Sequence, residues 1–122
     1  MLASSPSQIV LLGTANADGT FTGVTTGMSQ PIDVGAGDEL CFYFESVGTT
    51  SGGTLTIEEA SRPNYTGTWS AIGSAINASS FTGTVQLAVH ISPNAYGFVR
   101  VRVSSDITGG GKVLVFLKKQ GS

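Results

Sequence analysis

Charge and cysteine are scarce in this sequence. Only 11% of its 122 residues are charged, and six Lys and Arg against eight Asp and Glu leave a formal net charge of −2. No broad basic surface can form from this composition, which disfavours binding to nucleic acid. The single cysteine, Cys41, excludes an intrachain disulfide. The covalent cross-links of many small secreted domains are therefore not available to this chain.

The sequence also lacks long apolar runs and a basic N-terminal region. No stretch approaches the roughly 18 apolar residues of a membrane span. The apolar run 9–12 is shorter than the ~7 residues of a minimal signal-peptide core. We therefore expect a protein without a signal peptide, assembled in the cytoplasm and not bound to a membrane.

Helical periodicity is missing as well, because no window carries apolar residues at a sustained spacing of three and four. Instead, 17 glycines and many Ser and Thr residues divide the chain into short segments. These segments predict eight strands, at 9–15, 20–26, 39–47, 54–59, 68–72, 84–91, 96–104 and 112–118. The pattern indicates an all-β fold with little or no helix, an antiparallel, jelly-roll-like β-sandwich. We expect a flexible N-terminal arm at 1–8, one domain at 9–119 and a tail at 120–122.

Two successive strands alternate apolar and polar side chains. On the first, one face would carry Val85, Leu87, Val89 and Ile91; on the second, Val99, Val101 and Val103 would point inward. The connection at 92–95 is short enough for a hairpin, so we predict that these strands pair. Arg100 and Arg102 would then lie on the outer face beside Gln86 and His90. Such a row could bind carboxylates of a partner or form an ordinary solvated face.

Two other segments, 40–44 and 113–117, are apolar on both faces. One face would fill the core with Leu40, Phe42, Phe44, Val113, Val115 and Leu117. The other face would carry Cys41, Tyr43, Leu114 and Phe116, which need a cover because an antiparallel sandwich has no crossover helices. A long loop, the N-terminal arm or another subunit could supply that cover. We favour another subunit, so these four residues form the predicted self-association interface.

Groups suited to catalysis or metal binding are few. His90, the single histidine, is expected as a solvated side chain on a strand, and Cys41 as a small packing residue in an apolar run. Asp33, Asp38 and Glu39 flank a glycine turn and offer oxygen ligands for calcium, but their spacing matches no EF-hand loop. We therefore predict no enzyme activity, no cofactor and no metal site.

Glu58 and Glu59 are adjacent on a predicted strand. Because neighbouring side chains of a strand point to opposite faces, the two carboxylates cannot act together as a catalytic pair. We expect one of them to form an ion pair.

Two aromatic residues, Tyr65 and Trp69, lie among the polar turn residues of segment 63–69. Exposed faces of Tyr and Trp can stack on sugars, so this segment is the one candidate for glycan recognition. A Trp at the start of a strand is, however, more often a core or rim residue. Sugar binding therefore remains the alternative hypothesis.

Four segments together resemble a β-sandwich module of tailed-phage virion proteins: GTLTIEEA at 53–60, TWSAI at 68–72, YGFVRVRV at 96–103 and GKVLV at 111–115. The module reads as a Gly-Thr strand, a Thr-Trp strand, a Val-Arg-Val-Arg strand and a Gly-x-Val-x-Val strand. The similarity covers about half of the chain and consists mostly of strand patterns. The chain departs from the module at Glu58-Glu59-Ala60 and Arg62-Pro63, where many members run directly into a short turn.

The resemblance implies a structural virion protein, expected to be a capsid decoration (cement) protein on the head exterior. It further implies a homotrimer that binds the major capsid protein. The N-terminal segment is rich in Ser with one Pro and is expected to be disordered until a partner binds it, so we predict capsid contacts by Leu2, Ser4, Ser5, Pro6 and Gln8. The alternative within the same family is a tail or baseplate module that recognises host-surface glycans. We expect the cement role because it needs one compact fold, and a tail adhesin usually needs an additional stalk or attachment domain.

Overall fold

The computed structural model describes residues 8–34, 39–83, 85–91 and 97–120. Within these residues the chain is all-β and every strand pairing is antiparallel, which confirms the predicted fold class. The strands are β1 (Gln8–Leu12), β2 (Thr14–Ala15), β3 (Phe21–Thr22), β4 (Ile32–Asp33), β5 (Glu39–Val47), β6 (Gly52–Ala60), β7 (Ser70–Ala71), β8 (Ile76–Asn77), β9 (Leu87–Ile91), β10 (Phe98–Thr108) and β11 (Lys112–Gln120). A single 3₁₀ turn (Ala78–Phe81) lies between β8 and β9. No helix in the described part is long and apolar enough to cross a membrane.

Two sheets form the sandwich. The front sheet has the order β1-β11-β5-β9, and the back sheet has the order β4-β10-β6-β7 with β8 also paired to β6. From β4 to β11 the chain passes repeatedly between the sheets, which is the topology of a jelly roll. Strands β2 and β3 form a separate two-stranded hairpin.

The described chain has eleven strands, three more than the sequence predicted, for local reasons. The predicted strand 9–15 divides into β1 and β2 at Gly13, where φ is +110°, a conformation that favours glycine. The short strands β4 and β8 have only two residues each, too few to give a period of their own. They form because β10 and β6 offer them hydrogen-bonding partners.

The core lies between the two sheets. The six residues predicted to fill it from β5 and β11 are at most 2% exposed, which confirms that prediction: Leu40, Phe42, Phe44, Val113, Val115 and Leu117. They pack against back-sheet side chains that include Leu55, Ile57, Val99 and Val101. Phe81 in the 3₁₀ turn closes one part of this core against Phe44, with ring centroids 5.7 Å apart.

The predicted hairpin of β9 and β10 is wrong. Strand β9 pairs with β5 in the front sheet, whereas β10 pairs with β6 and β4 in the back sheet. Arg100 and Arg102 therefore do not lie beside Gln86 and His90. Alternating apolar residues fit both arrangements, because two strands can face one core as neighbours in a sheet or across a sandwich.

The far edge of β10 is covered by the segment that leads into β4. The amides of Val103 and Ile107 donate to the carbonyls of Gly27 and Thr25 at 2.8 and 3.0 Å. The amide of Ser29 donates to the carbonyl of Val101 at 2.8 Å, and its hydroxyl accepts from the Val101 amide at 2.9 Å. The irregular segment before β4 therefore supplies hydrogen-bond partners for many of the backbone groups along this edge of β10.

Candidate functional site

The outer face of the front sheet brings together the single cysteine and the single histidine of the chain. Strand register places Lys118, Cys41 and His90 in one row across β11, β5 and β9. Cys41 Sγ lies 3.8 Å from His90 Nε2. No sequence pattern predicts this contact, because it depends on β5 pairing with β9.

A surface depression of about 280 Å³ surrounds the pair, lined by Glu39, Leu40, Cys41, Tyr43, His90, Ile91 and Lys118. Cys41 is buried and His90 is exposed. The pKa of Tyr43 is raised above 10.0, first because its hydroxyl hydrogen-bonds the Cys41 side chain and second because a thiolate there would repel a phenolate. No cluster of three or more side chains able to hold a metal occurs in the described part of the chain.

Leu114 and Phe116, two of the predicted interface residues, are covered by the chain itself. They are 3% and 6% exposed, and the β2–β3 hairpin lies against them. The ring of Phe21 meets that of Phe116 edge to face at 5.1 Å. A Cβ at position 13 would come within 2.5 Å of Leu114 Cδ2, so glycine lets the hairpin approach this closely. The cover that the sequence analysis assigned to another subunit is, for these two residues, a hairpin of the same chain.

Exposed apolar side chains remain beside this hairpin. Ile9 and Phe21 are 41% and 40% exposed. Together with Val10, Phe116 and Glu45 they line a depression of about 390 Å³. We call Ile9, Val10, Phe21 and Phe116 the N-terminal patch. It adjoins the start of β1 at Gln8; the other predicted arm residues, Leu2, Ser4, Ser5 and Pro6, lie outside the described residues.

On the back sheet, Glu58 is 3% exposed and binds two arginines. Arg100 Nε donates to Glu58 Oε1 at 3.0 Å, and Arg102 Nε donates to Oε2 at 2.9 Å. This confirms the expected ion pair and identifies Glu58 as its acid. Arg100 is the direct cross-strand neighbour of Glu58 in the β10–β6 register, which explains the contact.

Trp69 is 4% exposed and belongs to the same cluster. The Arg100 guanidinium lies 4.1 Å from the centre of the Trp69 ring, and the indole N–H donates to the Tyr65 carbonyl at 3.0 Å. Trp69 therefore offers no free face to a sugar. Of the two aromatics proposed for stacking, Tyr65 alone is exposed, and the Arg62 guanidinium lies 5.2 Å from its ring centre.

The acidic residues near β4 and β5 are only partly described. Asp33 in β4 and Glu39 at the start of β5 are exposed, whereas Asp38 lies outside the described residues. Lys119 Nζ donates to the backbone carbonyl of Asp33 at 2.8 Å.

No protein-family model matches the chain, and no curated protein matches it.

Proposed function

We propose that this chain is a structural component of a tailed-phage virion, and specifically a capsid decoration protein that binds the major capsid protein from the head exterior. The resemblance in β6, β7, β10 and β11 supports the family, and the jelly-roll topology is compatible with it. The observation that carries the proposal is the N-terminal patch. It places exposed apolar side chains beside the point where the predicted arm joins the domain.

The patch is suited to weak, repeated contacts. Burying the exposed part of Ile9 and Phe21 would stabilise a complex by about 1 kcal/mol for each residue. A single contact of this size is too weak to form a stable complex. Many copies bound to one shell act together, so modest contacts per copy can secure an assembly.

The role is proposed as non-catalytic. Cys41 and His90 are adjacent, but a thiol acts as a nucleophile only where a base and oxyanion donors converge on a substrate position. We interpret the pair as a surface packing contact. A hydrolytic activity of the purified protein that is lost in His90→Ala would contradict this interpretation.

Copy number in purified virions tests the proposal. Quantitative mass spectrometry should find the chain in hundreds of copies per particle, because a capsid component follows the symmetry of the shell. A few to a few dozen copies would assign it to the tail instead, and absence from the virion would reject both roles.

Attachment can be tested on capsids that lack the protein. Removal of residues 1–7, or the substitution Phe21→Ser, should reduce binding, whereas the exposed back-sheet substitution Ala71→Ser should not. Unchanged binding of the first two variants would remove the basis for the N-terminal patch as the capsid contact.

A further inference from the structure

We propose that β9 is a self-association edge, which pairs with β9 of a second copy to join the two front sheets. This inference does not rest on the proposed virion role. It follows from a comparison of the sheet edges, because unpaired strands expose rows of N–H and C=O groups that another strand can bind.

Most edges in the described part of the chain are short, interrupted or covered. Strands β4, β7 and β8 have two residues each. Strand β1 has a break in its register between Val10 and Leu12. Natural proteins use short edge strands and bulges of this kind to prevent sheets from joining.

Strand β9 has none of these protections. It runs for five residues, Leu87–Ile91, in unbroken register with β5 and contains no charged residue and no proline. No other described strand pairs with its far side. Its length corresponds to about 17 Å of regular edge.

The side chains at this edge are also incompletely covered. Leu87 and Val89 face the core but are only half-buried, and Val85, just before the strand, is 51% exposed. A second extended strand laid against β9 would extend the sheet over these apolar groups. An extended backbone with alternating apolar side chains is therefore the occupant that fits, and β9 of another copy has this form.

The geometry fixes the number of copies. When a strand pairs antiparallel with its own copy, both partners use the same surface, so the contact is two-fold and closes at two chains. The product is one continuous sheet of eight strands, four from each copy. It differs from the trimer that the family resemblance implies. The contact is small compared with the about 800 Å² per partner of a stable interface, so association should depend on concentration.

Sedimentation velocity on the full chain tests this inference, from low micromolar to near-millimolar protein. Wild type should shift from 12.5 kDa to twice that mass as concentration rises. Ala88→Lys should raise the dissociation constant about tenfold, because exposed Ala88 lies on β9 and like charges on paired edges repel. Ala15→Lys, on exposed strand β2, adds the same charge away from β9 and should leave the constant unchanged.

Amide hydrogen exchange gives a readout that needs no variant. Exchange at alternate amides of β9 should slow with increasing wild-type concentration, while exchange in β1 should not change. A monomer throughout the concentration range, a trimer, or equal effects of the two lysine substitutions would overturn the inference. Concentration-dependent protection at β1 instead of β9 would also overturn it.

Discussion

The outer faces of the two sheets differ in what contacts their side chains. On the front sheet, apolar Leu114 and Phe116 are covered by the β2–β3 hairpin. On the back sheet, polar side chains satisfy one another: Glu58 binds two arginines, and Ser104 is hydrogen-bonded to Thr54 and Thr56 at 2.7 and 2.9 Å.

The difference indicates where this protein has surface to offer a partner. In the back-sheet cluster, the carboxylate of Glu58 pairs with the guanidinium groups of Arg100 and Arg102. In the described residues, no buried side-chain polar atom lacks a hydrogen-bond partner. The hairpin cover is incomplete, since Phe21 remains 40% exposed above Phe116. We therefore expect contacts through the front sheet and its edges, and a mainly structural role for the back-sheet cluster.

The largest expected effect is at the covered apolar face. Phe116→Ser should lower the free energy of unfolding by about 3 kcal/mol, because the ring is buried beneath Phe21. Denaturant unfolding measures the change. Phe21→Ser, which removes the half-exposed partner, should cost about 1 kcal/mol. Wild-type stability of Phe116→Ser with a loss of assembly would instead support a subunit interface at this position.

On the back sheet, Glu58→Gln should lower the free energy of unfolding by about 2 kcal/mol. The substitution removes the charge that holds two guanidinium groups, although the partial exposure of Arg102 limits the loss. Glu59→Gln, at the next position on the same strand, should change stability by about 0.5 kcal/mol or less. Equal effects in chemical denaturation would show that the cluster has no special role.

Trp69 provides a spectroscopic test of the closed back face. Arg100→Ala should shift its fluorescence to longer wavelength and increase quenching by acrylamide, because the guanidinium covers the ring. Arg102→Ala should leave the emission unchanged, since the Arg102 guanidinium binds Glu58, whereas the guanidinium over the Trp69 ring is that of Arg100. A glycan-array hit of wild type that is abolished in Trp69→Phe would favour the tail-module alternative.

The smallest effect concerns the turn of the β2–β3 hairpin. The pKa of Asp18 is lowered from 3.8, mainly because its carboxylate accepts a hydrogen bond from the Thr20 hydroxyl at 2.6 Å and another from the Thr20 amide at 3.0 Å. A lowered folded-state pKa stabilises the fold above about pH 3.8, and this contribution is lost as the pH falls below that value. A carboxyl NMR titration should show the Asp18 pKa rising toward 3.8 in Thr20→Val. An unchanged titration would mean that the hydroxyl does not matter.

Strand identity could be predicted where the sequence pattern is strong. The predicted boundaries 39–47 agree with those of β5, and both core-facing sets on β5 and β11 are buried. Prediction failed where a strand gains its structure from a neighbour, as in β4 and β8. The Cys41–His90 contact was not predicted for a related reason. It joins residues 49 positions apart, and only strand pairing brings them together.

The sequence by itself determined the fold class and the core of the central strands, because alternation and glycine-rich turns act over short distances. It predicted an ion pair for one of Glu58 and Glu59 but not which acid forms it. Only the tertiary structure decided which strands pair, and hence that Arg100 meets Glu58 and Trp69 while His90 meets Cys41. It also decided what covers Leu114 and Phe116. The physical reason is that an apolar face specifies burial but not the partner that buries it, and partner choice depends on the arrangement of the whole chain.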